Sequence, residues 1–546
     1  MGIRATTDSA QPSVQQGASG VTSPLRTAHV VAVGALTAVA AAGYSVFALV
    51  LNSHLQTSSY DLVIFDQAVQ SYAHFMPGIS IIKGLHNGFG PHFSVLGDHW
   101  SPILAALAPL YWIWNSPQAL LVAQAVLFAL AIPPLWMFTC RTFGGGKKAT
   151  VAAYLVAVAY GLSWPIASAL AFDFHEVAFA PVLTAVALER LAAGRLRTAL
   201  IALGALLLVK EDMGLFVAGI GVYLAVARPR QVRRQWLVGL ALVVAGLADT
   251  LIATYVLIPA FGGRSSYYWA YTALGNNVPQ AIGHLITHPG AWRLLITPRV
   301  KLDTTLWLFG AFCFLSLRSP LVLAAIPFLL ERMLANLFPF WWVTSYQYNA
   351  YLVIILLCAA VDGAARLDRD LMARGHPASE REQPAAAGAA PPGEAGAAPS
   401  AGRRWTVALV CAAAMCAVAL CLVPRFAFGA ALHPDFYGRD AQMKAAAAAA
   451  AVVPSCVTVE AVDNLGPQLS ARDTVLLWDG DGGTPPLASP WVVANIGRLQ
   501  FTFKSVREQT QRVALLEHSG YRVVFQRDGY VVLHRAGTAD LKESAG

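Results

Sequence analysis

The stretch Val30–Leu51, VVAVGALTAVAAAGYSVFALVL, runs for 22 residues without a charge. As a helix rising about 1.5 Å per residue, it reaches across the roughly 30 Å hydrocarbon layer of a bilayer. It is longer than the roughly 7–15 apolar residues of a signal-peptide core and follows a long polar segment, so it reads as a span that is kept. Residues 1–28, rich in Ser, Gln, Thr and Gly, read as a disordered tail. Arg4 and Arg26 assign that tail to the cytoplasm.

Composition carries the same message over the whole chain. Of 546 residues, 56% are hydrophobic and 12% charged, about half the usual share of charge. Mean hydropathy is +0.54. Such a chain belongs in a bilayer, which excludes a cytosolic enzyme, a nucleic-acid binder and a disordered scaffold. The net charge of +8, from 38 Lys and Arg against 30 Asp and Glu, reads as basic cytoplasmic loops. The seven cysteines have no metal-ligand spacing. Cys411, Cys416 and Cys421 share one apolar run as small hydrophobes, and Cys456 stands alone in the polar C-terminal region.

Further apolar runs lie near 102–115, 117–139, 149–171, 177–193, 198–227, 236–259, 304–317, 319–335, 348–362 and 405–423. Several fall short of the roughly 17–25 residues of a full span, and Lys210-Glu211-Asp212 interrupts 198–227. Broken or re-entrant helices beside a polar cavity account for both features. The clusters Arg141/Lys147/Lys148, Arg190/Arg195/Arg197, Arg228/Arg230/Arg233/Arg234 and Arg366/Arg369/Arg374 read as cytoplasmic. Their parity holds if 102–115 does not cross fully, or if one cluster breaks the rule. The expectation is an all-α polytopic transmembrane helix bundle of about ten to thirteen spans in the plasma membrane.

Residues 29–362 form its core, with 52–101 as the first outward loop. Residues 363–404 are a cytoplasmic linker, disordered where Ala, Pro, Gly and Glu dominate, and 405–423 is the last span. Residues 425–546 then form a small extracytoplasmic α/β domain. Its strands are expected at Val457–Val459, Thr474–Trp478, Tyr521–Phe525 and Tyr530–His534, with helices near 438–452 and 505–518. Arg527-Asp528-Gly529 reads as a hairpin turn.

Ionisable groups near a membrane are costly, so their positions are the best functional signal. They gather at the outward ends of apolar runs. In Tyr60-Asp61-Leu62-Val63-Ile64-Phe65-Asp66-Gln67, helical spacing puts Leu62, Phe65 and Val69 on one face and Asp66 with Gln70 on another. An ordinary amphipathic juxtamembrane helix would show the same pattern. In Gly97-Asp98-His99-Trp100-Ser101-Pro102, helix capping explains Asp98 and Ser101 and leaves His99 over. Asp173-Phe174-His175-Glu176 sets three ionisable groups between two apolar stretches. They could bind substrate or a divalent cation, although one Asp-x-His-Glu is not a complete metal motif.

Lys210-Glu211-Asp212 either neutralises itself or supplies a phosphate-binding cation. Arg264-Ser265-Ser266-Tyr267-Tyr268-Trp269 and Trp341-Trp342-Val343-Thr344-Ser345-Tyr346-Gln347-Tyr348 are aromatic–polar clusters. They suit an interfacial aromatic belt, sugar stacking, or contact with a polyisoprenyl tail. There is no Gly-rich phosphate loop, Gly-x-Ser-x-Gly elbow or His-Glu-x-x-His, which argues against common ATP-driven pumps and membrane metalloproteases.

The order Tyr60-Asp61-Leu62…Phe65-Asp66-Gln67, His99-x-Ser101-Pro102, Phe172-Asp173-Phe174-His175-Glu176, Lys210-Glu211-Asp212 and Gly520-Tyr521-Arg522-Val523-Val524-Phe525 resembles domain of unknown function 2079. That is a bacterial and archaeal membrane family, and the resemblance spans about residues 40–360 plus the C-terminal region. The family is distantly similar to the GT-C glycosyltransferases, including the protein O-mannosyltransferase and aminoarabinose-transferase types. The similarity implies a polyisoprenyl-phosphate-linked sugar donor and an acid just past the first span. Asp61 is the best match to that acid and Asp66 the second, with Leu62 where those enzymes carry the second acid of an Asp-Glu pair.

Three readings follow. In the first, a GT-C-type glycosyltransferase, Asp61 or Asp66 is the base, and Lys210 with Arg264 stabilises the departing phosphate. His99, Asp173, His175, Glu176, Glu211 and Asp212 then contact substrate, with His175 and Glu176 orienting the acceptor or holding a divalent ion. In the second, a transporter or flippase, the same charges form a relay. Third, a non-catalytic scaffold would present the C-terminal domain and would have no need of charges near the bilayer.

Overall fold

Among the described residues, six helices are long and apolar enough to cross a membrane: Thr27–Ser53, Pro117–Thr142, Gly146–Ala171, Gln235–Ala260, Gln347–Met372 and Val407–Arg425. The structure is a computed structural model, and it describes residues 24–227, 234–374, 406–480 and 489–536. The protein is a polytopic helical bundle carrying a small C-terminal sheet domain. Helix α1 (Pro24–Ser53) takes in the last residues of the expected N-terminal tail. The rest of that tail, residues 375–404 of the expected linker and Arg228, Arg230 and Arg233 lie outside the described residues, while 363–374 continue the helix Ala350–Arg374.

The count of full-length helices falls below the about ten to thirteen spans expected, because several apolar runs fold as shorter pieces. Phe179–Ala192 has 14 residues, Leu196–Leu206 has 11 and Met213–Ala227 has 15. At 1.5 Å per residue each covers about 16–23 Å, less than a bilayer core. Lys210-Glu211-Asp212 forms the turn between the last two, so 198–227 is a broken helix.

Small residues set the packing where two helices meet. Gly214 and Gly221 of Met213–Ala227 lie against Gly246 and Gly239 of Gln235–Ile252, and a Cβ at any of the four would strike the opposite backbone. This close approach substitutes backbone contact for side-chain interdigitation. The helix Ala350–Arg374 passes through the middle of the bundle, with every residue from Ala350 to Val361 buried.

The C-terminal domain has five strands in the order β2-β1-β3-β5-β4: β1 (Thr458–Ala461), β2 (Thr474–Leu477), β3 (Trp491–Asn495), β4 (Arg522–Arg527) and β5 (Tyr530–His534). β1 runs parallel to β2 and β3, while β5 is antiparallel to β3 and β4. The β4–β5 hairpin turns at Asp528 and Gly529, whose φ angles of 46° and 88° suit the residue types found there. Helices Ala441–Val452 and Val506–His518 complete the domain.

This domain does not stand apart from the bundle. One continuous hydrophobic core joins Val459, Val475 and Val492 of the sheet to Leu62, Phe65 and Val69 of the loop after α1. The face predicted for Leu62, Phe65 and Val69 is therefore apolar and buried, and protein covers it.

Candidate functional site

After α1 the chain reverses through Leu55, at φ 59°, and Ser58 starts a tight helical turn, Ser59–Val63. The Ser58 hydroxyl accepts from the Asp61 backbone N–H at 3.2 Å. Ser58 also donates its own N–H and Oγ to Asp173 Oδ2, at 3.0 and 2.6 Å. Asp173 is thus a clamp on the loop that carries Asp61. Its carboxyl is raised, first by burial and then by the Asp61 charge. Its Oδ1 is buried without a partner.

The clamp brings Asp61 to His175, with Oδ1 3.4 Å from Nε2. Three contacts fix the imidazole. Nδ1 lies 3.1 Å from the Asp173 carbonyl, which only an N–H can satisfy, so Nε2 faces Asp61. The ring stacks on Phe172 at 5.2 Å and meets the edge of Phe65 at 5.3 Å. Gln124 accepts from the His175 N–H at 3.2 Å. Burial opposes a positive His175, but Asp61 outweighs it and the pKa rises. The Asp61 side chain keeps 32% of its surface exposed, against 10% for His175. This carboxylate is held in place and still reachable.

Glu176, 2% exposed, turns toward Lys210 and leaves Oε2 without a partner. Lys210 Nζ is 3.9 Å from Asp212 Oδ2 and 5.8 Å from the centre of the Tyr348 ring. Burial pulls the ammonium pKa down, but Asp212, Glu211 and Glu176 push it well up, so the cation persists among acids. Glu211 turns away and takes both its partners from the loop at 99–100. His99 Nδ1 lies 2.7 Å from Oε1, and the Trp100 N–H donates to Oε2 at 3.1 Å. The His99 ring stacks on Tyr268 at 4.5 Å.

The next pair is Lys83 and Asp98, 2.9 Å apart, with the Tyr268 hydroxyl donating to Asp98 at 2.8 Å. Lys83 sits on α3 (Ile81–His86), and its ammonium is 5.2 and 5.5 Å from the rings of Tyr60 and Tyr267. Sequence reading passed over Lys83, although a lysine after two isoleucines in a loop at the membrane surface is a signal of the same kind as Lys210. Tyr348 was seen only as part of an aromatic cluster. Its ring lies 5.8 Å from Lys210 Nζ, and Asp61 and Glu176 are within electrostatic reach of its hydroxyl.

The C-terminal domain closes over the same loop. The Asp463 carbonyl accepts from the N–H and Oγ of Ser59, both at 2.7 Å, and its carboxylate accepts from the Tyr60 N–H at 2.9 Å. His86 Nδ1 meets Asp479 at 2.9 Å. Gly466 packs so tightly on the Ser59 hydroxyl that no Cβ fits between them.

The structure therefore brings together Asp61, Asp173, His175, Glu176, Lys210, Glu211, Asp212 and His99. Asp66 and Arg264 lie elsewhere. Asp66, on α2 (Ile64–Ala73), is 2% exposed and accepts from the Tyr111 hydroxyl at 2.6 Å. Burial pushes its carboxyl up to about 6 against the pull of Tyr111 and Ser470. Arg264 is exposed, with its guanidinium 5.8 Å from the Phe89 ring. Among the described residues, no group of three or more His, Cys, Asp or Glu side chains is arranged to hold a metal ion.

A family model described as "Predicted membrane protein (DUF2079)" matches residues 52–532. No curated protein matches the chain.

Proposed function

The chain belongs to the DUF2079 family of predicted membrane proteins, and we propose that it is a GT-C-type glycosyltransferase of the plasma membrane. On this reading it moves a sugar from a polyisoprenyl-phosphate donor to an extracytoplasmic acceptor. The N-terminus is cytoplasmic, and the C-terminal domain stands outside beside the acceptor. The observation that carries the reading is the Asp61–His175 pair, a positioned and accessible carboxylate directly past the first membrane-length helix.

In the reaction, Asp61 takes the proton of the acceptor hydroxyl as its oxygen bonds to the anomeric carbon. The carbon–oxygen bond to the lipid phosphate breaks, and the phosphate leaves with the electron pair. His175 orients Asp61 toward the arriving hydroxyl. Lys210, surrounded by Asp212, Glu211 and Glu176, offsets their charge as the anion enters, and Arg264, which lies elsewhere against Phe89, takes no part. Asp66, saturated by Tyr111, acts in the fold and not as the base.

The test is transfer of radiolabel from polyisoprenyl-phosphate-linked sugars into cell-envelope acceptors by the purified protein. Asp61→Asn should abolish transfer and Asp66→Asn should leave it. Wild-type rates with Asp61→Asn would overturn the mechanism.

A second reading, a transporter or flippase, draws on the succession Lys83–Asp98, His99–Glu211 and Lys210–Asp212, which resembles a proton relay. Substrate accumulation in proteoliposomes without a covalent product would favour it.

A further inference from the structure

Two cations are buried where the short helix Ile326–Leu334 meets the aromatic loop after it, and their surroundings differ. Lys301 is fully buried and satisfied. Its ammonium donates to the carbonyls of Leu294, Met333 and Ala335 at 2.9, 2.7 and 2.6 Å and lies 4.4 Å from the Trp342 ring. Three donors meet three acceptors, as a structural lysine requires.

Arg332 is 2% exposed and is not satisfied. Its Nε donates to the Trp341 carbonyl at 2.7 Å and its Nη2 to Asn349 Oδ1 at 3.0 Å. Asn349 is itself anchored, donating to the Val343 carbonyl at 3.1 Å. These bonds fix the plane of the guanidinium. Its Nη1 is buried and has no acceptor. None of the ion pairs among the described residues includes Arg332, and the neighbouring Glu331 acts on it only at longer range.

A buried guanidinium without a counter-ion is costly, and an orphaned pair of N–H groups adds to that cost. The arrangement is stable once an anion supplies both. The surroundings indicate where the anion sits. Tyr348 is within electrostatic reach of Arg332, Lys210, Asp61 and Glu176. Lys210 lies 5.8 Å from that ring.

We propose that Arg332 anchors an anion site of the phosphate class, in which the unpartnered Nη1 donates to one phosphate group and the Lys210 ammonium near Tyr348 adds to the positive charge around it. The guanidinium, fixed through Nε and Nη2, holds the N–H groups of Nη1 in one direction toward the anion, which the freely rotating ammonium of a lysine in its place would not do. The site rests on the glycosyltransferase reading only for the identity of the phosphate, which is there the donor's lipid phosphate. Arg332 then holds that phosphate from within the protein.

The experiment measures thermal unfolding and equilibrium binding on the full-length protein in detergent, with a polyisoprenyl phosphate, the corresponding polyisoprenol, or inorganic phosphate. The wild-type protein should be stabilised by the lipid phosphate and not by the alcohol. Inorganic phosphate that binds and competes would identify a free phosphate as a second source for the same site. Arg332→Lys keeps the charge and loses the fixed Nη1 donors, so it should weaken phosphate binding roughly tenfold or more. Arg332→Gln should weaken it further.

If Arg332→Gln does not fold, the wild-type comparison of phosphate with alcohol and the Arg332→Lys variant decide the matter. Equal binding of alcohol and phosphate to the wild type would overturn the site, as would full phosphate affinity in folded Arg332→Lys. The glycosyl-transfer reading fails separately. Asp61→Asn should bind the lipid phosphate as well as wild type, and phosphate binding without any sugar transfer would leave this site standing alone.

Discussion

Asp173 holds Ser58 through both of that residue's donors, its backbone N–H at 3.0 Å and its hydroxyl at 2.6 Å, across 115 positions of sequence. Ser58 in turn accepts from the Asp61 N–H, so the carboxylate of one loop sets the backbone of another. Asp173→Ala leaves the helices intact and removes the acceptor that grips both donors. Transfer activity should fall at least tenfold while the melting temperature drops by no more than a few degrees, the equivalent of about 1–2 kcal/mol. Ser58→Ala should act in the same direction and more weakly, since the backbone bond survives. Turnover beside calorimetry on the same preparations checks this.

Asp66 makes a pH prediction. Burial raises its folded-state pKa to about 6, above the roughly 3.9 of an unfolded aspartate. Between those values the folded protein binds the extra proton, so Asp66 costs stability progressively as pH rises through that window, and its full cost persists above it. Asp66→Asn keeps an acceptor for Tyr111 and has no charge to bury. The variant should melt several degrees higher than wild type at pH 7.5, with the difference disappearing near pH 4. Melting curves across that range would refute the assignment if the gap were independent of pH.

At Gly466 a Cβ would run into the Ser59 hydroxyl and press on Val475. Gly466→Ala should loosen the C-terminal domain from the loop after α1, seen as faster proteolysis between the two and as lost activity. Combining it with Ser59→Ala should recover part of both, because the hydroxyl is the first atom struck.

The contact of Gly214 and Gly221 with Gly246 and Gly239 is backbone on backbone. Gly246→Val should force those helices apart and cost several kcal/mol. The expected result is poor recovery of folded protein from membranes. Gly34→Val, where nothing lies within 4 Å, should be harmless by the same assay.

Hydropathy made the bundle legible in advance because apolar length is a local property, and Val30–Leu51 or Gly146–Ala171 shows it without help from the rest of the chain. The strand Trp491–Asn495 was not legible. It is a five-residue apolar piece whose identity comes only from pairing with β1 on one side and β5 on the other. Asp61 and Asp66 looked alike on paper, five positions apart beside the same span. What separates them is remote: His175 for the first, Tyr111 for the second. Lys83 and Arg332 were overlooked for the same reason. A lone basic residue has no periodicity to betray it, and its meaning arises from Asp98 or Asn349 arriving from elsewhere in the chain.

The bond from Ser59 to the Asp463 carbonyl reaches over 404 positions, so the loop bearing Asp61 takes its final shape late in the life of the nascent polypeptide. Before Asp463 is made, the loop lacks the backbone anchors at Ser59 and Tyr60 and is held by the bonds of Ser58 to Asp173 and of Tyr60 to Asn87. A prematurely terminated product would insert in the bilayer yet stay inert. On the glycosyltransferase reading, a copy truncated before the C-terminal sheet should therefore transfer no sugar.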